Sequence, residues 1–169
     1  MAKPDSSEYA PYFETYIKKV PDGDILEILR NQLGEFADFL GTVGEDRAGH
    51  RYETGKWSVK EVVGHIVDTE RILGTRALAI ARGERTPLPS YDQDEYVEEA
   101  NFDERTLADL MEEFDGLRRS HRALFESFAD DVWMRRGVAG GNEVSVRGLA
   151  WILAGHLMHH ETVMRERYL

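Results

Sequence analysis

Three histidines lie within five residues near the end of the chain, in "GHLMHHETV", at positions His156, His159 and His160. Imidazole binds divalent metals, and it also acts as an acid or a base near neutral pH. If the stretch is helical, His156 and His160 lie four residues apart on one face, which is the spacing of a helical metal-binding pair. His159 is turned toward the edge of that face. A pair alone is weak support for a metal, so the interpretation depends on a third ligand from elsewhere.

His65, in "GHIVDTER", is the candidate third ligand, because it lies in the middle of another stretch with helical periodicity. Three neutral imidazoles leave coordination positions open for water or a substrate, which is typical of catalytic rather than structural sites. By ligand softness the set suits zinc, nickel, iron or copper. Asp68 or Glu61 could accept a hydrogen bond from the second ring nitrogen of His65 and fix its tautomer. The alternative is that each histidine is a hydrogen-bonded core residue.

The remaining candidates have simpler interpretations. His121 falls between apolar positions of a third periodic stretch, which favours a histidine packed near the end of a helix bundle over a fourth ligand or a substrate contact. His50 lies in a polar loop and is expected to be solvated. Asp68, Glu61 and Glu70 are expected to form surface ion pairs unless the metal site recruits them. For metal-assisted hydrolysis the candidate bases are Asp68, Glu61 and His159.

Composition excludes several classes of function. The chain has 169 residues, 41% of them hydrophobic, and no cysteine, so disulfides, thiolate ligands and a cysteine nucleophile are absent. The formal net charge of −11 repels phosphate backbones and argues against nucleic acid as a partner. Neither a glycine-rich phosphate loop nor a GxSxG nucleophile elbow occurs. A small-molecule substrate is the expected partner.

The chain also lacks signals for membranes or secretion. No window approaches the roughly 18 consecutive apolar residues of a membrane span, and the N-terminus "MAKPDSSEYAPYFETY" has no apolar signal core. We therefore expect a cytoplasmic protein that does not bind a membrane. A homodimer is a further expectation, because long bundles often pair through exposed apolar faces, although the sequence marks no interface.

Four stretches have the three-to-four-residue apolar period of amphipathic helices, and no strand alternation stands out. The predicted helices are 23–43, 58–83, 104–129 and 145–167. Ser58 with Glu61 forms a capping box for the second helix, and Ser145 is a candidate cap for the fourth. The prediction is an all-α, four-helix bundle in a single domain over residues 1–169.

The connector between the second and third helices, "ERTPLPSYDQDEYVEEANF", leaves the topology of the predicted bundle open. It is about twenty residues long and shows no clear period. Extended chain of that length spans about 66 Å, so it is long enough to return the third helix parallel to the second. Tyr91 or Tyr96 could close over the mouth of the bundle, but an acidic, solvated loop is the prediction for this segment.

Three motifs together resemble the DinB/YfiT-like superfamily of four-helix-bundle metalloproteins. They are "GKWSVKEVVGHIVDTERI", "LPSYDQDEY" and "LAGHLMHHETVMRERYL". The resemblance extends in order over nearly the whole chain. It implies a divalent metal, with zinc, nickel or iron favoured, held by one histidine of the second helix and two of the fourth. In this sequence these are His65, His156 and His160, with His159 as the alternative to His160.

The resemblance also implies a range of activities. Members of the superfamily include S-transferases that use low-molecular-weight thiols such as bacillithiol, and a mycothiol-dependent maleylpyruvate isomerase. Others are assigned only as metal-dependent hydrolases or stress-induced proteins. The leading expectation for this chain is a metal-dependent thiol S-transferase, with the thiol as co-substrate. The alternatives are a metal-dependent hydrolase and a non-catalytic metal-binding or small-molecule-binding protein.

Overall fold

The computed structural model describes residues 1–169, and most of the chain is helical. The α-helices are α1 Glu14–Ile17, α2 Ile25–Val43, α3 Val59–Ala81, α4 Gln93–Ala100, α5 Leu107–Glu126, α6 Asp130–Trp133 and α7 Val146–Arg167; the strands are β1 Arg136–Ala139 and β2 Asn142–Ser145; and short 3-10 turns cover Ser6–Glu8, Pro11–Phe13, Glu45–Arg47 and Phe102–Glu104. The predicted fold class is confirmed, because the long helices α2, α3, α5 and α7 form a four-helix bundle. None of these helices combines the length and apolar character that a bilayer span requires.

The order of the helices around the bundle is not their order in the sequence. Helix α3 packs against α5 and α7, and α2 packs against the same two helices. The consecutive helices α2 and α3 are therefore diagonal to each other, as are α5 and α7. Short connections favour adjacent antiparallel neighbours, so this arrangement depends on the long segments between the helices.

Helices α3 and α5 run parallel to each other. Ser58, at the start of α3, donates to Asp103 just before α5 at 2.5 Å, and Glu70 further along α3 pairs with Arg118 further along α5. The connector must therefore cross the length of the bundle, which is the parallel return that its length permitted. Helix α7 runs antiparallel to α3, because Trp57 contacts Tyr168 while residue 65 contacts residue 156.

Local sequence signals determine where the two histidine-bearing helices begin. In α3 the Ser58 hydroxyl accepts from the Glu61 amide at 3.1 Å, and the Glu61 carboxylate accepts from the Ser58 amide at 2.7 Å, so the predicted capping box is confirmed. In α7 the Ser145 hydroxyl accepts from the Gly148 amide at 2.8 Å. These caps satisfy amides that would otherwise have no partner.

The core consists of two apolar clusters with a buried polar layer between them. One cluster surrounds Trp151 and the other surrounds Phe36. The polar layer consists of five buried side chains, Gln32, His65, Glu70, Arg118 and His156. Buried polar groups need partners, and the partners of this layer tie all four long helices together, as described below.

Two segments differ from the expectations drawn from the sequence. The acidic connector, predicted as a solvated loop, contains α4, because Asp92 caps the amides of Asp94 and Glu95 and Val97 is buried against the bundle. The glycine-rich stretch before α7, where no strand was predicted, forms the β1–β2 hairpin. Its turn uses Gly140 and Gly141, both with positive φ, a conformation that glycine adopts without steric cost.

Candidate metal centre

The ring nitrogens of His65, His156 and His160 converge inside the bundle. The Nε2 atom of His156 lies 3.1 Å from that of His65 and 3.1 Å from that of His160. One ligand nitrogen from each residue can be chosen so that all three lie within 4.8 Å of one another. The structure therefore brings together the three residues that the sequence selected. We call them the histidine triad.

The packing of α3 against α7 sets this convergence. His65 projects from the middle of α3, and His156 and His160 project from consecutive turns of α7. On the other side of α7, Gly155 allows α1 to approach closely, since a Cβ at this position would meet the Tyr16 carbonyl oxygen at 2.3 Å. The Tyr16 ring then packs edge-on against His156 at a centroid distance of 5.5 Å.

Burial keeps the histidine triad uncharged at neutral pH. His65 is 2% exposed and His156 is 6% exposed. Burial lowers the pKa of His65 to about 4, with a further contribution from His159. The pKa values of His156 and His160 are also well below the ordinary value, first because of burial and then because of the neighbouring imidazoles. Neutral imidazole is the form that coordinates a metal.

The geometry of the histidine triad fits a divalent cation. Two imidazole nitrogens bound to one metal in tetrahedral geometry at about 2.05 Å lie roughly 3.3 Å apart, and two of the pairs here are 3.1 Å apart. A hydrogen bond between neutral rings also has this length, but His156 Nε2 has such a contact with two rings at once. Three nitrogen donors leave positions open for another ligand, as in catalytic sites.

His159 lies beside the histidine triad and does not join it. Its ring is 5.0 Å from that of His160, centroid to centroid, and 5.3 Å from that of Tyr16. Burial lowers its pKa, with a further contribution from Lys19. Of the two alternatives that the sequence left open, the geometry therefore favours His160 as the second ligand on α7.

The two carboxylates considered as partners of His65 have other partners in the structure. Glu61 closes the capping box of α3 and pairs with Arg51. Asp68 is half-buried and lies 3.6 Å from Arg71, and burial raises its pKa despite that arginine. No hydrogen bond joins either carboxylate to His65. The expected orientation of His65 by these acids is therefore not seen.

His121 belongs to a buried ion network and not to the metal centre. Its Nδ1 atom lies 3.1 Å from Glu70 Oε1, and its ring packs directly over Gly74. Arg118 donates to both oxygens of Glu70, each at 2.9 Å, and to the side-chain oxygen of Gln32 at 2.9 Å. Gln32 in turn donates to the carbonyl of Ala154 on α7 at 2.9 Å. This network braces the helices on which the histidine triad is mounted. His50 is exposed, as expected.

A pocket of about 660 Å³ adjoins one side of the histidine triad and is lined by His160 and His159. Trp57 forms part of its wall and packs 4.9 Å from the ring of His65, centroid to centroid. Its rim carries charges of both signs, from Arg51, Lys56, Glu61, Asp94 and Glu98. We call this the larger pocket.

A second pocket, of about 300 Å³, adjoins the triad from another direction and is lined by His156. Its wall includes Tyr12, Tyr16 and Tyr91, and the Tyr91 hydroxyl is 2.9 Å from that of Thr69. We call this the smaller pocket. Tyr91 thus covers the bundle beside the triad, whereas Tyr96, the other tyrosine of the connector, is 48% exposed.

Three residues near the histidine triad were not identified from the sequence as part of the site. Trp57 directly precedes the cap of α3, which is the position of a residue that packs back on a helix start, so a local signal existed. Tyr16 and Arg76, which both line the smaller pocket, had no local sequence signal, because their proximity to the centre depends on contacts between distant segments.

Comparison with known proteins gives a family match. A family model described as the DinB superfamily matches residues 28–164. The protein of Oceanobacillus iheyensis called "Putative metal-dependent hydrolase OB0413" is 24% identical over 143 residues, which cover 80% of this chain and 76% of that protein.

Solved structures show the same fold. YfiT from Bacillus subtilis, described as "a probable metal-dependent hydrolase with an unusual four-helix bundle topology", superimposes with a TM-score of 0.73 at 18% identity, covering 97% of this chain and 90% of YfiT. A mycothiol-dependent maleylpyruvate isomerase superimposes with a TM-score of 0.69 at 16% identity. That match covers 86% of this chain but only 61% of the isomerase.

Proposed function

Because this chain belongs to the DinB superfamily, we propose that it is a metal-dependent enzyme whose divalent cation is bound by His65, His156 and His160. The observation that carries the proposal is the convergence of three neutral imidazoles, two buried and one partly buried, with ligand atoms within 4.8 Å of one another. Zinc, nickel or iron suits this donor set. Such a cation would supply Lewis acidity, lowering the pKa of a thiol or a water molecule bound to it.

Thiol transfer is the reaction that the surroundings support best. The histidine triad is bordered by two separate pockets, one lined by His160 and the other by His156. A reaction between two organic substrates needs two binding sites that meet at the reacting atoms, whereas hydrolysis needs only one. The chain has no cysteine, so the sulfur nucleophile would come from a low-molecular-weight thiol of the bacillithiol or mycothiol type.

The proposed reaction joins the thiol to an electrophile that carries a leaving group. A sulfur–carbon bond forms, the bond from that carbon to the leaving group breaks, and the thiol proton departs with the leaving group. No oxidant or reductant is required. The larger pocket is the one sized for the thiol, since about 660 Å³ lies well within the range of ligand sites. Its mixed charges, including Arg51 and Glu61, suit a zwitterionic or polyhydroxylated molecule.

An assay with purified protein tests the transfer. Protein loaded with zinc, nickel or iron(II) is incubated with bacillithiol, mycothiol or glutathione and with an electrophile such as monochlorobimane, and the conjugate is quantified. We expect turnover that His65→Ala reduces at least 100-fold. The matched control His50→Ala changes an exposed histidine and is expected to retain full turnover. No rate above that of metal-free protein with any thiol would rule out the transferase.

Metal-assisted hydrolysis is the second candidate, and the position of His159 favours it. This imidazole lies in the wall of the larger pocket beside His160, where it could accept a proton from an attacking water. The names of the Oceanobacillus and Bacillus proteins point the same way. On this hypothesis His159→Gln lowers ester or amide hydrolysis at least tenfold while metal content is unchanged. Unchanged hydrolysis in that variant would argue against His159 as the base.

A further inference from the structure

The smaller pocket is lined by a single ionised side chain, Arg76. The other polar groups of its wall are neutral: the hydroxyls of tyrosines, Thr69 and Ser90, the amides of Gln93 and Asn142, and the uncharged ring of His156. The chain as a whole has a net charge of −11. A pocket with one positive charge and no negative charge is therefore unusual within this molecule.

Arg76 is half-buried and has no acidic partner. Its Nη2 atom donates to the carbonyl oxygen of Pro89 at 2.6 Å, and its guanidinium lies 5.8 Å from the centre of the Tyr91 ring. By contrast, Arg71, five residues earlier on α3, pairs with both Asp68 and Glu113. Burial lowers the pKa of Arg76, opposed only by Tyr91. Partly withdrawing a charge from water without a counter-charge costs free energy, and an anionic ligand would reduce that cost.

The shape and lining of the pocket narrow the class of ligand. Its volume is about 300 Å³, and a water molecule occupies about 30 Å³ in the liquid, so it accommodates a ligand of roughly ten to fifteen heavy atoms at most. Aromatic rings of Tyr12, Phe13, Tyr16 and Tyr91 form its walls, which suits a flat molecule. A guanidinium fork matches a carboxylate, and one cation balances one negative charge.

We propose that the smaller pocket binds a small, planar organic acid whose carboxylate pairs with Arg76 and whose other end faces His156. The acid would be the electrophilic partner of the thiol, and in that respect the inference rests on the proposed function. Binding of the acid does not rest on the proposed function, because Arg76 lies outside the histidine triad and binding can be measured without any reaction.

Benzoate and its neutral isostere benzamide test the site. Binding of each to the zinc-loaded protein is measured by ligand-observed NMR or calorimetry, with acetate and inorganic phosphate as further arms. We expect benzoate to bind at least tenfold more tightly than benzamide. Arg76→Gln should weaken the binding of benzoate at least tenfold, because a charge-assisted pair is lost, and should leave the binding of benzamide unchanged. Arg76→Lys, which keeps the charge but not the fork, should weaken benzoate by a smaller factor.

Arg85→Gln is the matched control, because Arg85 is exposed and lies outside the pocket. It removes the same charge and should bind benzoate within twofold of the unmodified chain. Equal benzoate affinity in Arg76→Gln and Arg85→Gln would overturn the inference. So would absence of saturable benzoate binding to the unmodified protein. Phosphate that binds more tightly than benzoate and requires Arg76 would replace the organic acid with a phosphate ligand.

Zinc content, measured on the same samples, separates this inference from the proposed function. If benzoate binding is lost when zinc is chelated but is retained in Arg76→Gln, the acid binds the metal alone. That result overturns the Arg76 site and supports the metal centre. If the protein takes up no zinc when it is loaded and still binds benzoate in a manner that depends on Arg76, the pocket is supported and the metalloenzyme is contradicted.

Discussion

The Nε2 atoms of His65 and His156 lie 3.1 Å apart in the buried centre of the bundle, although the two residues are 91 positions apart in the sequence. A contact between two neutral imidazole nitrogens is stabilising only if one donates a hydrogen bond to the other. Here the Nε2 atom of His160 approaches the same nitrogen of His156 at the same distance. A shared cation accounts for both contacts at once.

Metal content is the first prediction. Elemental analysis of the purified protein should find close to one divalent metal per chain, and His65→Ala, His156→Ala and His160→Ala should each reduce it at least tenfold, because removing one of three ligands loses a coordinate bond that the buried site cannot replace. His159→Ala should retain the metal, because His159 lies outside the histidine triad. His50→Ala controls for the loss of a histidine. Full metal content in His160→Ala together with loss of metal in His159→Ala would show that His159, not His160, is the second ligand on α7.

The second prediction concerns Glu70, which is 3% exposed and pairs with Arg118 through two hydrogen bonds of 2.9 Å. Glu70→Gln leaves a buried guanidinium without its counter-charge, so the free energy of unfolding should fall by about 3–5 kcal/mol. Urea denaturation followed by circular dichroism measures it. The control Glu27→Gln removes an exposed carboxylate that pairs with Arg30 and should change stability by less than about 0.5 kcal/mol. Equal losses in the two variants would contradict the buried network.

The third prediction is the pH dependence of stability due to Glu70. Burial by itself would raise its pKa, but Arg118 and His121 hold that pKa below the ordinary value of 4.5. A carboxyl with a lowered folded-state pKa stabilises the fold above its unfolded-state pKa, and the stabilisation disappears as the pH falls through the folded-state value. The stability difference between the unmodified chain and Glu70→Gln should therefore be constant from pH 7 to about pH 5 and shrink below that. A difference that grows on acidification would contradict this sign.

The fourth prediction compares two helical glycines. A Cβ on Gly74 would come within 2.1 Å of the His121 ring, whereas nothing lies within 4 Å of a Cβ on Gly34. Gly74→Ala should displace His121 from Glu70 and destabilise the protein by about 1–3 kcal/mol. Gly34→Ala, at an exposed helical site, should stabilise it by about 0.5–1 kcal/mol. Thermal denaturation should show the opposite signs, and stabilisation by both substitutions would show that His121 is not tightly packed.

Much of the candidate centre could be predicted because its signals are local. The capping box at Ser58 and Glu61, the one-turn spacing of His156 and His160, and the apolar period of four helices each depend on residues a few positions apart. Periodicity also made His65 the candidate third ligand, but it did not specify which helix His65 would meet, and the family motifs strengthened its pairing with His156 and His160.

Other features could not be predicted, for identifiable reasons. The connector between α3 and α5 was assigned as a solvated loop because its acidic composition hides a cap at Asp92 and a single buried apolar anchor, Val97. The acids beside His65 were plausible partners by spacing, but Glu61 pairs with Arg51 from the preceding loop and Asp68 lies beside Arg71, three residues further along the same helix. The partner of a long charged side chain depends on which helix lies beside it.

The sequence by itself determined the helical bundle and the residues able to bind a metal, since periodicity, caps and one-turn spacings depend on neighbours along the chain. Only the tertiary structure decided that α3 and α5 run parallel, that Arg118 and Glu70 form a buried pair, and that Arg76 lies without an acidic partner in a pocket beside His156. These relationships join segments far apart in the chain. They follow from which helix faces pack together. That packing minimises the free energy of the whole folded chain, through apolar burial and paired polar groups, rather than the free energy of any one segment.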